Sequence, residues 1–597
     1  MKECIQKIAK NKKSVYIILA IIILLQFMRL FYVFGWKKGG YHSDEIWSYG
    51  LANSYYEPYI YMEDDAKKEI YKNLNEWLPG SVFKEYLTVQ ENEKFSYDSV
   101  WYNQTQDMHP PLFYAILHTI CSFFPNTYSR WYAFPINAIS FIISMIFLYK
   151  LSALMFYSKW KGVLVTGGYG FTIACLGNFL YMRMYGMLTM WGIIFTYLHV
   201  KTYYKKSFSL KKEFIPIGII SCLGCLTHHY FMVFAFVFAA VYCFYFLLSK
   251  QIKTLIQYAA SMLIGTGASF LIFPGTIYHM FGRATHSNTW NLIWLNTRYC
   301  IKYIGEELLG VALPILKIKY TMAILEGILF LIVMLAVSIL FINRREEWAK
   351  KAIKNIIESP KKIVNWTKEK KNNINIVVLN IILVPIVIVL FTGYQAQVLF
   401  MANYTNRYLF IVYPLIYICI WKCMERIIKY VSEKIKRIKQ KKKIRHIALF
   451  LSMILLTGWL NIYDDNIYIF RLGAIEEWTN KLADANVVFI VDNPWIVTRY
   501  ANNFINSDHI YIVTSEKFLS DTENVMKEIR SISSENSMYL YYHNIELASA
   551  ENPEKYLQNN NTEDLKKVLK SFTDLSENGN IELKEVEYQE VNIFKVR

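Results

Sequence analysis

Two adjoining stretches decide the fold: Val15-Tyr-Ile-Ile-Leu-Ala-Ile-Ile-Ile-Leu-Leu-Gln-Phe-Met-Arg-Leu-Phe-Tyr-Val-Phe-Gly35 and, just after it, Tyr41-His-Ser-Asp-Glu-Ile-Trp47. The first is about 20 apolar residues long, enough to cross the hydrocarbon core of a bilayer. A Lys-rich start, Lys2 to Lys13, marks the N-terminus as cytoplasmic, so the span delivers Asp44 and Glu45 to the outer membrane surface. The apolar run is too long for a signal peptide and no small-residue cleavage site follows it, so it is expected to stay as an anchor. Adjacent carboxylates beside His42 at a membrane mouth can act as a base, a metal ligand or a polar anchor.

The remainder agrees with a membrane setting. Of 597 residues, 54% are hydrophobic and 17% aromatic, which excludes an ordinary soluble domain. Net charge is +18, unevenly spread: residues 464–597 hold 13 Lys+Arg against 23 Asp+Glu, or −10, leaving +28 before them. That excess lies in short blocks between apolar spans, the pattern of cytoplasmic loops, and is no nucleic-acid footprint. The nine cysteines fall in or beside apolar segments, so no disulfide framework is implied, and Cys222/Cys225 read as packing.

Residues 36–110 form an outer loop too long for a connector. Its aromatic stretches (Trp47, Tyr49, Tyr55, Tyr56, Tyr59, Tyr61, Trp77) suit short helices at headgroup level. The loop ends at Asp107-Met-His-Pro-Pro-Leu-Phe-Tyr114, where the prolines suit a first helical turn and Asp107 and His109 are expected to cap the helix. Further apolar segments fall at about 131–156, 160–179, 181–203, 213–229, 230–249, 254–281, 321–342, 374–394, 407–424 and 446–463. Basic blocks separate them, with ten Lys+Arg against four Glu in 343–373 and ten against two in 425–445. If all these blocks are cytoplasmic, 111–124 dips in and returns, or one block is misassigned; an odd number of spans, roughly 11 to 13, is expected. Residues 464–597 then form an extracytoplasmic α/β domain, with strands at 487–491, 509–513, 538–542 and 581–596 and helices at 520–530 and 562–572. The fold class is thus an all-α polytopic membrane protein with a small outer α/β domain. The domain boundary falls at 463/464, with the outer loop belonging to the membrane domain.

Ionisable groups in apolar surroundings carry the functional reading, since a charge in hydrocarbon costs roughly 2.5–3.5 kcal/mol. They are Arg183 in Tyr181-Met-Arg-Met-Tyr185, His228 and His229 in Leu226-Thr-His-His-Tyr230, and Arg407 in Asn403-Tyr-Thr-Asn-Arg-Tyr408, all expected on the face of Asp44 and His109. Each alone has a plainer explanation, a snorkelling Arg or a hydrogen-bonded His. Together they suit transfer from a lipid phosphate: cations hold the phosphate and a carboxylate takes the acceptor's proton.

In order, these motifs resemble those of the GT-C glycosyltransferases, in the branch containing protein O-mannosyltransferases and the lipid A aminoarabinose transferase. The resemblance rests on Asp44-Glu45, His109-Pro-Pro-Leu-Phe-Tyr114, Arg183-Met-Tyr185, Thr227-His-His-Tyr230 and Arg407-Tyr-Leu-Phe-Ile-Val-Tyr-Pro414, and covers roughly residues 15–420. It implies a GT-C fold and an inverting transferase acting at the outer face, with a polyprenyl-phosphate sugar as donor and a hydroxyl of an envelope glycan, lipid or protein as acceptor. By it, Asp44 is the base and Glu45 its partner, while Asp107, His109, Arg183, Tyr185, His228, His229 and Arg407 bind substrate. Histidines stand at 228–229 where many relatives have a Lys. The resemblance implies no required cofactor, although His42, Asp44, Glu45, Asp107 and His109 could assemble a divalent site. The competing classes are a transporter or flippase of an anionic lipid, whose ionisable groups belong near the bilayer midplane, and a scaffold presenting residues 464–597.

Overall fold

A chain entering hydrocarbon must satisfy its backbone hydrogen bonds internally, and a single segment does so as a helix. The computed structural model describes residues 12–38, 40–62, 71–205, 208–281, 290–309, 376–395, 405–434, 475–532, 536–543, 563–576, 581–587 and 591–597. Five helical stretches among them are long and apolar enough to cross a membrane: Lys13–Lys37, Arg130–Met155, Tyr230–Leu248, Ile252–Ile272 and Ile376–Tyr394. The chain is a mostly helical, multi-pass membrane protein with one small sheet. Helices Tyr185–Lys205, Ile215–Thr227 and Tyr413–Lys434 cover three more expected segments, and 254–281 breaks after Ile272 to resume as Gly275–Phe281. The expected spans at 321–342 and 446–463, the basic block 343–373 and most of the block 425–445 lie outside the described residues.

Two compact units emerge, Met1–Val33 with Ile136–Tyr468, and Phe34–Pro135 with Ile469–Arg597. In the first, the expected span 160–179 is two helices, Lys159–Gly170 and Ile173–Leu180, bent by 64°. Thr172 causes the break by starting a new helix, its hydroxyl accepting the amide of Cys175 at 3.1 Å. The carbonyls this strands are taken up by the first span. Arg29 donates to Phe171 O at 2.7 Å, and Gln26 donates to Thr166 O and Gly167 O at 3.2 and 2.9 Å. Elsewhere Ile215–Thr227 and Ile252–Ile272 cross so closely that a Cβ on Gly265 would lie 2.2 Å from Gly218 O.

The second unit departs from the expected domain boundary. Its sheet has the order β1-β3-β2-β4-β6-β5, built from β1 (Trp77–Pro79), β2 (Asn486–Val491), β3 (His509–Thr514), β4 (Met538–His543), β5 (Glu582–Glu587) and β6 (Val591–Lys595). β2, β3, β4 and the helices Thr522–Ile529 and Glu563–Phe572 fall at the expected positions, while the run expected at 581–596 is two strands, β5 and β6, paired antiparallel. The edge strand does not belong to that segment: β1 comes from the outer loop and pairs antiparallel with β3, Leu78 opposite Ile510. The outer loop therefore belongs with the C-terminal residues, because it supplies a strand and a packed helix to their core. β2 is buried along its whole length, as a central strand covered on both faces must be. One face packs Val488, Ile490 and Val513 against Phe518, Val525, Ile529, Leu565 and Phe572. On the other, Phe489 meets Tyr500 and Phe504, and Phe504 in turn meets Phe83 of the Ser81–Leu87 helix at 5.2 Å. Trp77 seals the edge, its indole donating to Glu528 O at 3.0 Å.

A hydrogen-bonded sheet cannot be divided by a bilayer, so β1 lies on the same side of the membrane as β2 to β6. The Leu112–Ser122 helix is part of this unit and, at 11 residues, is about 16 Å long against a ~30 Å core. It is too short to cross by itself. Of the seven aromatics expected at headgroup level, Tyr49, Tyr59 and Tyr61 are buried core and Tyr55 is exposed. Tyr49 donates to Ser129 O and Tyr59 to Gln106 O, so their hydroxyls are satisfied inside the unit. His118, buried in the Leu112–Ser122 helix, donates from Nδ1 to Ala52 O at 2.8 Å and ties that helix to Ser43–Asn53.

Two outcomes follow from this packing. A Cβ at Gly80 would sit 2.2 Å from Ser507 O and 2.7 Å from Phe504 O, both backbone. Gly80→Val is therefore expected to loosen the outer segment from the sheet by about 1–3 kcal/mol or more, seen as faster proteolysis within residues 71–106 while cleavage in the membrane helices is unchanged. Burial holds the pKa of His118 below its ordinary 6.5, only partly offset by its bond to Ala52 and by Asp98. A His kept neutral by the fold stabilises it fully above 6.5 and progressively less as pH falls below that value. Pulse proteolysis at pH 7.5 and 5.5 should show this loss, and His118→Gln should flatten it.

Candidate functional site

Asp44 and Glu45 occupy the first turn of the Ser43–Asn53 helix, where carboxylates favour the positive end of the helix dipole. The helix opens on a capping box with an unusual first member. His42 Nδ1 accepts the Asp44 amide at 3.1 Å, and Glu45 Oε2 accepts the His42 amide at 2.8 Å. Because Nδ1 accepts, the neutral ring carries its proton on Nε2. Glu45 Oε1 takes a close ion pair from Lys38, and both side chains are fully shielded from solvent. Lys38 in turn lies 5.3 Å from the Phe34 ring and 5.8 Å from the Tyr41 ring, and Arg130 donates to Lys38 O at 3.1 Å and Gly35 O at 3.0 Å. Residues 35–45 are thereby pinned at both ends.

The two neighbouring carboxylates thus sit in different surroundings. One oxygen of Glu45 accepts the His42 amide and the other pairs with Lys38, so this side chain holds the loop. Asp44 keeps a side chain with 10% of its surface exposed, and its Oδ2 lies 3.7 Å from His42 Nδ1.

Asp107 and His109 do not cap the following helix as expected. That helix has Pro111 at its N-cap with no side-chain bond, while Asp107 closes the preceding Tyr97–Gln106 helix. They bond each other instead, His109 Nδ1 donating to Asp107 Oδ2 at 2.7 Å. This fixes the ring plane and directs Nε2 outward from the pair, the arrangement that orients an imidazole for proton transfer or anion contact. Of the five residues considered for a divalent site, His42 lies beside Asp44, His109 bonds Asp107, and Glu45 pairs with Lys38. Among the described residues no three His, Cys, Asp or Glu side chains converge as a metal site.

In the first unit Arg183 lies in the turn between Ile173–Leu180 and Tyr185–Lys205, and His228 and His229 in the turn between Ile215–Thr227 and Tyr230–Leu248. These turns meet. Tyr185 lies 5.3 Å from the His228 ring and 6.1 Å from Tyr408, while Tyr230 stacks on Tyr408 at 5.1 Å. Arg183 is buried, and the Arg407 guanidinium lies 5.1 Å from the Tyr408 ring. Tyr185, His228 and Arg407 are thus gathered around one aromatic cluster with Arg183 two residues away in sequence. His229 turns aside to His279, Nε2 to Nδ1 at 3.3 Å. Lys38 and Arg130 were missed from sequence; the signal for the first was the His42-x-x-Glu45 spacing, whose buried acid required a cation nearby.

No family model matches the chain, and no curated protein matches it. Among solved structures it is similar to the crystal structure of ArnT from Cupriavidus metallidurans bound to undecaprenyl phosphate, at 9% identity and a TM-score of 0.47 over 98% of this chain and 99% of that one. The same protein in the apo state gives 9% identity and a TM-score of 0.43, over 82% and 88%. A likeness this distant supplies no residue-by-residue correspondence.

Removing one member of a buried ion pair strands the other charge, at about 3–5 kcal/mol. Lys38→Met should therefore lower the unfolding temperature sharply in detergent, whereas Lys38→Met combined with Glu45→Gln should recover most of the loss.

Proposed function

We propose that this protein is an inverting glycosyltransferase that moves a sugar from a polyprenyl-phosphate donor to a hydroxyl acceptor on the outer face of the membrane. The N-terminus is cytoplasmic in this reading, and residues 34–135 and 469–597 are extracytoplasmic. Asp44 takes the acceptor's proton as the acceptor oxygen bonds the sugar's anomeric carbon from the face opposite the phosphate. The anomeric carbon–oxygen bond to the phosphate breaks, and polyprenyl phosphate leaves already ionised, so no acid is needed. In the first unit Arg183 and Arg407 with His228 neutralise the phosphate through charge-assisted hydrogen bonds, and in the second His109, oriented by Asp107, is a further substrate contact.

The observation that carries the reading is the contrast within the carboxylate pair. Lys38 neutralises Glu45, whose side chain is fully shielded, while the neighbouring Asp44, also buried, keeps 10% of its side chain exposed and lies beside His42 on a capped helix. That differentiation is what assigning one base among two carboxylates requires.

Positioned base catalysis is typically worth about 10²–10⁴ in rate. Asp44→Asn should remove transfer from a polyprenyl-phosphate sugar by at least that factor, with unfolding temperature unchanged. Full activity in Asp44→Asn removes the base. Movement of labelled lipid across vesicles by the native protein with no product formed supports a transporter instead.

A further inference from the structure

The helix that carries Asp44 starts on a histidine, and a histidine Nδ1 accepts a hydrogen bond only while its ring is neutral. The usual cap is an oxygen of Ser, Thr, Asp or Asn, which accepts a first-turn amide whether or not an imidazole would be charged. Here His42 Nδ1 takes that place and receives the Asp44 amide at 3.1 Å. The same nitrogen lies 3.7 Å from Asp44 Oδ2. One buried ring thus meets both the backbone and the carboxylate of the residue assigned as base.

Its two protonation states treat Asp44 differently. A neutral imidazole with its proton on Nε2 offers Nδ1 to the amide, which fixes the first turn and leaves the carboxylate to take a proton. An imidazolium carries a hydrogen on Nδ1 as well and cannot accept the amide. A small rotation brings that hydrogen to Oδ2 in a charge-assisted bond, and a carboxylate held so is a weaker base.

The charged groups around the ring favour this exchange. Glu45 Oε2 accepts the His42 amide while Oε1 pairs with Lys38, and Arg130 bonds the carbonyls of Gly35 and Lys38. The segments packed on Ser43–Asn53 are Ser81–Leu87, Tyr97–Gln106, Leu112–Ser122 and Pro494–Tyr500, whose acidic and basic side chains are Lys84, Glu85, Asp98, His118 and Arg499. Lys84 and Glu85 are exposed, Asp98 accepts from the Tyr56 hydroxyl, and His118 is bonded to Ala52 at the far end of the helix. Arg499 stands 5.4 Å from the Trp495 ring, which lies 6.2 Å from Trp47, and a guanidinium cannot accept a hydrogen bond. Of these groups, Asp44 Oδ2 is the acceptor beside Nδ1.

We propose that His42 is the positioning residue of Asp44: its neutral ring holds the base ready and its protonated ring disarms it, so that transfer fails on acidification. The role rests on the transferase reading for the word base, whereas the coupling between the two side chains stands apart from it.

Two measurements on the full-length protein test this. The first is NMR of histidine-selective ¹⁵N label in nanodiscs, with the His42 signal identified by its loss in His42→Asn. Nδ1 should be unprotonated at high pH, and Asp44→Asn should lower the His42 titration midpoint by about 1 pH unit or more, since the charged ring loses its partner. A protonated Nδ1 at high pH, or an unmoved midpoint, overturns the coupling. The second is release of polyprenyl phosphate in cell membranes containing the protein, followed against pH, which requires neither sugar nor acceptor to be known. Native release should fall about tenfold per pH unit below the His42 midpoint. His42→Asn keeps a cap oxygen that does not titrate, so its release should persist down to the carboxylate range, about pH 4–5. His42→Ala, without a cap, should lose about 2–30-fold at high pH, and His42→Asn should recover it. Release undiminished in Asp44→Asn sinks the base and the proposal with it. Loss of release in Asp44→Asn, together with an acid limb in His42→Asn that coincides with the native one, sinks the positioning role alone.

Discussion

The Lys38–Glu45 ion pair is the constraint on which the site's geometry depends. A charge fully shielded from water is tolerated only with a partner, and here the partner is reached by folding residues 35–45 back on themselves. The same carboxylate receives the His42 amide and so closes the first turn of the helix behind it. One side chain thereby fixes the loop, the helix start and the direction of Asp44. Arg130, 92 residues away, clamps the loop's backbone from the far side of the same unit.

A second constraint comes from the sheet. By giving its edge strand to residues 475–597, the outer loop is bound to a segment that the sequence places at the other end of the chain. This confines both to one side of the membrane, and it explains why Trp47 and Trp495 are neighbours. The loop is part of a folded unit, and Tyr49, Tyr59 and Tyr61 are consumed as its core.

What the sequence made legible was local. Apolar length announced the helices, and alternation in 487–491, 509–513 and 538–542 announced the central strands to within a residue or so. Arg183, His228 and Arg407 stood out because a charge or imidazole between apolar runs is costly. What it hid was long-range. Nothing in Trp77-Leu-Pro79 marks a three-residue strand, since its partner is remote and its length too short for periodicity. The break at Thr172 was masked by continuous hydrophobicity, and its compensation by Arg29 and Gln26 is a tertiary arrangement. Lys38 was passed over because its pairing with Glu45 is a tertiary contact, and Asp107 and His109 looked like caps because their mutual bond cannot be told from spacing alone.

The discontinuity of the second unit has a consequence for biogenesis. Trp77 and its hydrogen-bond acceptor Glu528 are 451 positions apart, so at ribosomal rates of 5–20 residues per second the acceptor emerges roughly 20–90 s after the donor. Throughout that interval Leu78 and Phe83 have no sheet to rest on, while the intervening helices are still being inserted. An unpaired strand and a bare apolar patch are invitations to aggregate. Residues 71–106 therefore wait for their sheet partners, and slowing translation downstream of residue 136 would lengthen that exposure in proportion.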